Sequence, residues 1–169
     1  MRKLWVLFCF SSLVSSCYNP GATPKPVSAY KPVLINKKDL VNSVMLLPAS
    51  VPNNPGKYLL NGNHLYMVEL YKGVHVFDNS HPSTPINSGF INVPGIQTIS
   101  IKNNVLYVDN AIDIVAIDIT NPTGAKVLSR IADVLPMPVT PDGLPLDGPV
   151  AQSTWPANTV VVDYVKLKN

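Results

Sequence analysis

The sequence predicts an all-β protein whose body is two tandem units of four short strands, with one short N-terminal helix ahead of them and a Pro-rich segment behind. Two observations carry this. The 169 residues include 17 prolines but a single glutamate, Glu69, a balance poor in helix formers and rich in turn signals. The chain also matches itself. Leu60-Asn-Gly-Asn-His-Leu-Tyr-Met-Val68 aligns with Ile101-Lys-Asn-Asn-Val-Leu-Tyr-Val-Asp109, 41 residues on, and Gly73-Val-His-Val-Phe-Asp78 aligns with Asp113-Ile-Val-Ala-Ile-Asp118, 40 residues on. One residue is therefore gained or lost in the intervening hairpin.

Residues 1–16 read as a signal peptide. Arg2 and Lys3 form a cationic start, Leu4 to Val14 an apolar stretch too short to span a bilayer, and Ser15 and Ser16 put small side chains before the cleavage point. Val14-Ser15-Ser16-Cys17 resembles the lipobox of bacterial lipoproteins, which implies acylation of Cys17 as the new amino terminus. Cys9 lies in the removed leader, so the mature chain keeps one thiol and no disulfide framework. The resemblance implies a diacylglyceryl thioether plus an amide-linked chain, and several chains make a stable anchor where one is marginal. Tyr18 follows the anchor where Asp, in the lipoproteins this leader resembles, favours retention in the inner membrane. The expected address is the bacterial outer membrane, facing the periplasm or the exterior.

Residues 17–35 read as anchor and tether: four prolines between Tyr18 and Pro32 and no apolar periodicity suggest a semi-extended spacer. Residues 36–56 read as a short helix and lead-in loop. Asn36 to Asp39 resembles a capping box, and Leu40, Val44 and Leu47 follow at roughly helical spacing before Pro48, Pro52 and Pro55. Residues 57–94 and 95–132 are the two units, with strands expected at 57–61, 64–70, 73–78 and 86–93, then 96–102, 104–109, 113–119 and 125–132. Asn61-Gly62-Asn63 and Lys102-Asn103-Asn104 suit tight hairpins. Residues 133–169 read as a Pro-rich loop, with six prolines from Pro136 to Pro156, and a terminal strand over Thr159 to Leu167.

Four strands in about 40 residues is the size of one β-propeller blade, so the expected architecture is a partial β-propeller of about two four-stranded blades. Val74-His-Val-Phe-Asp78 and Ile114-Val-Ala-Ile-Asp118, each followed by a Ser/Thr-x-Pro turn, resemble the LVIVD repeat of exported and lipid-anchored bacterial proteins with propeller-like folds. The match covers residues 57–132. It implies a fold and an envelope location and transfers no catalytic residue. Propellers close with four to eight blades, so the reading is a shortened member of that group, with closure by self-association and a minimal two-sheet domain as the competing ones.

Charge excludes one class of partner. Past the leader 11 Lys and Arg face 10 acids, with no basic stripe for nucleic acid. No nucleophile elbow, phosphate loop or dinucleotide fingerprint occurs. Asp78 and Asp118 recur at equivalent strand ends and read as Asx-turn acceptors, and Tyr66 and Tyr107 as packed core residues. His64, His75 and His81 lack zinc-site spacing, and Asp142-Gly143 and Asp147-Gly148 read as turns, not as a calcium loop. Catalytic, metal and cofactor sites are thus expected to be none. The expected function is a lipid-anchored binding or scaffold module with a protein or glycan ligand. The rival is an enzyme with a polar site near the hairpin linking the second and third strands of each unit, where Glu69, Asp109 and Asp113 fall.

Overall fold

The computed structural model describes residues 25–122 and 124–168. The leader, Cys17 and the first part of the tether lie outside the described residues. Strands hold 46% of the described residues against 8% helical, so the class is all-β; among the described residues the strands form three antiparallel sheets and no closed barrel. In chain order these are β1 (Tyr30–Asn36), helix α1 (Lys37–Val41), β2 (Met45–Leu47), β3 (Pro55–Asn61), β4 (His64–Glu69), β5 (Gly73–Asp78), β6 (Ile86–Asn92), β7 (Ile99–Lys102), β8 (Val105–Asn110), β9 (Asp113–Asp118), β10 (Lys126–Ile131) and β11 (Thr159–Lys166). The first sheet runs β2-β6-β5-β4-β3, the second β10-β9-β8-β7, and β1 pairs with β11 in a two-stranded ribbon.

The eight runs read as strands are β3 to β10, with ends shifted by up to three residues. Turn chemistry explains the register. Asn103 and Asn104 both take positive φ, 52° and 57°, closing β7 on β8 with the mirror-image turn that matches strand twist. Between β4 and β5 three residues separate the pair Glu69 and Gly73, whereas two separate Asn110 and Asp113 between β8 and β9. That is the missing residue of the sequence alignment. Gly73 must be glycine for a second reason: a Cβ there would lie 2.1 Å from the Ile91 carbonyl oxygen.

Two expectations about the N-terminal region need correction. Residues 30–35 are not tether but most of strand β1, paired from Tyr30 opposite Lys166 to Asn36 opposite Thr159. Pro32 is tolerated there because β1 has a partner on one side only. The helix does not extend to Leu47. Asn36 caps it through Lys38 N–H, but Ser43 Oγ donates to the Leu40 carbonyl at 2.7 Å and the chain leaves helical geometry after Val41. Met45–Leu47 then adds to β6 as a fifth strand, which the sequence reading had not assigned.

The core lies between the two large sheets, and its composition shows how they meet. Tyr66, Val68, Val74 and Val76 of the first sheet pack against Ile99, Leu106, Val108, Val115 and Ile117 of the second. By the alignment above, Leu106, Val108, Val115 and Ile117 correspond to Leu65, Met67, His75 and Phe77, which strand alternation puts on the other side of the first sheet. We call the Tyr66 side face A and the Leu65 side face B. Face A of the first sheet thus packs on face B of the second. Tyr107, the counterpart of Tyr66, consequently sits on the outside and is 40% exposed, not packed in the core as expected. A second, smaller core of Leu40, Ala111, Ile112, Val160 and Val162 fastens the ribbon and α1 onto the β8–β9 turn.

Candidate functional site

The three acids singled out by sequence fall where expected, at the hairpin ends of their strands, and each is occupied. Asp113 accepts Arg130 Nη1 at 2.6 Å and the Asp133 N–H at 2.9 Å, while Arg130 Nη2 reaches the Leu40 and Val41 carbonyls at 3.4 Å. This ties α1 to the second sheet. Glu69 accepts the N–H groups of Asn53 and Asn54 and lies 2.7 Å from His75 Nε2. Burial alone would raise the pKa of Glu69, but those hydrogen bonds outweigh it and hold the carboxyl below its usual range. Among the described residues no hydrogen bond joins any two of the three acids.

Pro48 to Asn54 forms a strap. It connects β2 to β3, the opposite edges of the first sheet, so it must cross that sheet. Its hydrogen bonds place the crossing on face B: Asn87 Nδ2 donates to the Ser50 carbonyl at 2.7 Å, and Glu69 holds the other end. Beneath lie His75, fully buried, and Phe90, their rings 4.8 Å apart between centroids. His75 is thus a bracing residue. His64 is half-buried and His81 exposed in a turn.

Asp109 is different, because it borders open space. Its carboxylate accepts the N–H groups of Gln97 and Thr98 at 2.9 to 3.1 Å, and burial, which dominates those bonds, pushes its pKa up. It lines a cavity of 270 Å³ with Lys57, Thr98, Ser100, Tyr107 and Leu135. A second cavity, of 310 Å³, shares Thr98, Asp109 and Leu135 and continues to Met137 and Val139. A third, of 520 Å³, shares those last two residues and reaches Trp155 and Tyr164. Together they make a groove from face A of the second sheet along the Pro-rich segment. Its walls are apolar and its polar groups few, the usual character of a binding site. Lys57 donates to the Ile99 carbonyl at 2.9 Å.

Sequence reasoning found Asp109 but missed Lys57, Thr98, Ser100 and Tyr107. The face of Tyr107 was the one available signal, since Asp109 two positions on breaks the apolar pattern of the same side.

The recurring aspartates behave as turn acceptors. Asp78 takes the Ser80 hydroxyl and N–H, Asp118 the Thr120 hydroxyl and N–H, and these bonds, hydroxyl first, lower both pKa values. Asp142 accepts from the Leu144 N–H while Gly143 N–H donates to the Thr140 carbonyl, and Asp147 accepts from the Gly148 N–H, so both Asp-Gly pairs build turns. Asp142 also ties down the approach to β1 by accepting from Ser28 Oγ and the Ala29 N–H, each at 2.9 Å. No helix among the described residues is long and apolar enough to cross a membrane. Compared with family models, curated proteins and solved structures, the chain matches none.

Proposed function

We propose that this chain is a non-catalytic binding or scaffold module of the bacterial cell envelope, held to the outer membrane by lipid on Cys17 and built as two propeller-like blades related to LVIVD-repeat lipoproteins. The observation that carries the non-catalytic part is the state of the acids. Glu69 and Asp113 are buried and saturated by main-chain N–H groups and a basic partner. Asp109, the one of the three that borders open space, is engaged by the Gln97 and Thr98 N–H groups and hydrogen-bonded to neither of the other two, so the three do not form a paired acid and base. The groove beside Asp109 and Tyr107 is the site a protein or glycan ligand would occupy. Blade character is supported by the packing of face A on face B, since stacking successive units in one sense juxtaposes unlike faces.

Two measurements test this. Intact mass of the native product should lack residues 1–16 and carry lipid on Cys17; a product beginning at Met1 without lipid overturns the envelope anchor. The full chain screened against glycan and peptide libraries should bind without turnover, and turnover abolished by Glu69→Ala or Asp113→Ala overturns the binding reading.

A further inference from the structure

Packing of the two large sheets uses one face of each and leaves the other of each uncovered by sheet. The faces left are the complementary pair. Face A of the second sheet presents Ser100, Tyr107, Asp109, Ile114 and Ala116, the counterparts of Leu59, Tyr66, Val68, Val74 and Val76, which in the first sheet make the packed side. Face B of the first sheet presents Tyr58, Leu60, Leu65, Met67 and Phe77, the counterparts of Ile99, Ile101, Leu106, Val108 and Ile117. Tyr58 and Leu60 are 67% and 63% exposed. On face A Ala116 is buried and Tyr107 is the exposed large side chain, and exposed apolar side chains such as Tyr58, Leu60 and Tyr107 on sheet faces mark interaction sites.

We propose that a second copy of this chain docks here, face A of one copy's second sheet on face B of the other's first sheet. The occupant follows from continuity with the contact already inside the molecule: each open face occupies the repeat positions of a face whose partner the chain itself supplies, with Tyr107 standing where Tyr66 does, although Ser100, Asp109 and Ala116 replace Leu59, Val68 and Val76. Such a contact joins unlike patches and is heterologous, so it propagates or closes into a ring. Neither cover prevents it. The strap crosses face B over His75 and Phe90 and leaves the Leu60 end open, while the Leu135 to Val139 segment lies at the Asp109 end of face A. The inference deepens the scaffold reading but does not depend on the lipid, so loss of the anchor would leave its readout intact.

Heterologous contacts permit a complementation test by sedimentation velocity on the full-length chain in neutral detergent. Tyr107→Asp blocks face A and Leu60→Asp blocks face B; both positions are exposed, and circular dichroism checks folding. The wild type should associate over about 1 to 100 μM, the range of modest interfaces. Each variant alone should be monomeric, and the two mixed should form a one-to-one dimer through the intact face of each. A monomeric wild type overturns the proposal, as does a mixture that stays monomeric. A variant that still self-associates points to a like-with-like contact and overturns it too. Should either variant fail to fold, Ser100→Lys and Tyr58→Lys block the same faces.

Discussion

Glu69 Oε2 lies 2.7 Å from His75 Nε2, and the same carboxylate holds the Asn53 and Asn54 amides of the strap. One buried residue therefore braces a sheet and pins a loop across it. The strap residues are exposed throughout apart from half-buried Pro52, so hydrogen bonds rather than burial keep it in place. Segments held this way open before the core does.

The charge on Glu69 sets when that opening occurs. Its folded pKa lies below the ordinary value of 4.5, so the stabilisation is fully present above that value and is lost as pH falls through the folded pKa. Amide exchange of residues 48–54, corrected for intrinsic rates, should accelerate below about pH 4.5 before exchange in β4, β5, β8 and β9. Glu69→Gln should produce a similar, roughly tenfold, acceleration at neutral pH. Strap and core amides losing protection together would contradict this.

Arg130 and Asp113 form the other buried pair, their side chains 13% and 6% exposed. Arg130→Ala strands the carboxylate and releases the end of α1, and should cost about 3 kcal/mol in urea unfolding. Loss below about 1 kcal/mol would mean that the pair behaves as a surface ion pair.

Tyr66 and Tyr107 align in sequence, but Tyr66 lies inside the packed interface and Tyr107 outside it. Tyr66 is 1% exposed and burial raises its hydroxyl pKa to about 12. Tyr66→Ala should destabilise by about 3 to 5 kcal/mol, whereas Tyr107→Ala should stay within about 1 kcal/mol under monomeric conditions. Equal effects would refute the face assignment.

Gly73 and Gly62 separate two reasons for glycine. At Gly73 an added methyl meets the Ile91 carbonyl oxygen and the Phe90 ring, so Gly73→Ala should prevent stable pairing of β5 and β6. At Gly62 nothing lies within 4 Å, and only the positive φ of 57° opposes a side chain. Gly62→Ala should cost about 1 kcal/mol, read from the shift in thermal midpoint.

Much of this architecture was legible because strand and turn chemistry is local. Asn103 and Asn104 announce their turn, Asn36 its helix cap, and the Val and Ile runs their strands. What escaped depends on distant pairing. Tyr30 to Ile35 reads as linker because its partner lies more than 120 residues away in β11, and Met45–Leu47 reads as helix because only β6 makes it a strand. The groove escaped for the same reason: Lys57, Tyr107 and Leu135 belong to separate elements, and no motif links them. Glu69, Asp109 and Asp113 were found as positions, but their roles needed knowledge of which amides and which guanidinium the fold delivers to them.

The pairing of Tyr30 with Lys166 has a mechanical corollary. Whatever precedes residue 30 and whatever follows residue 166 emerge side by side, so tension between those two points peels the ribbon one rung at a time instead of shearing it. A fluorophore attached at Lys168 would accordingly sit beside the point where the segment preceding Tyr30 leaves the ribbon.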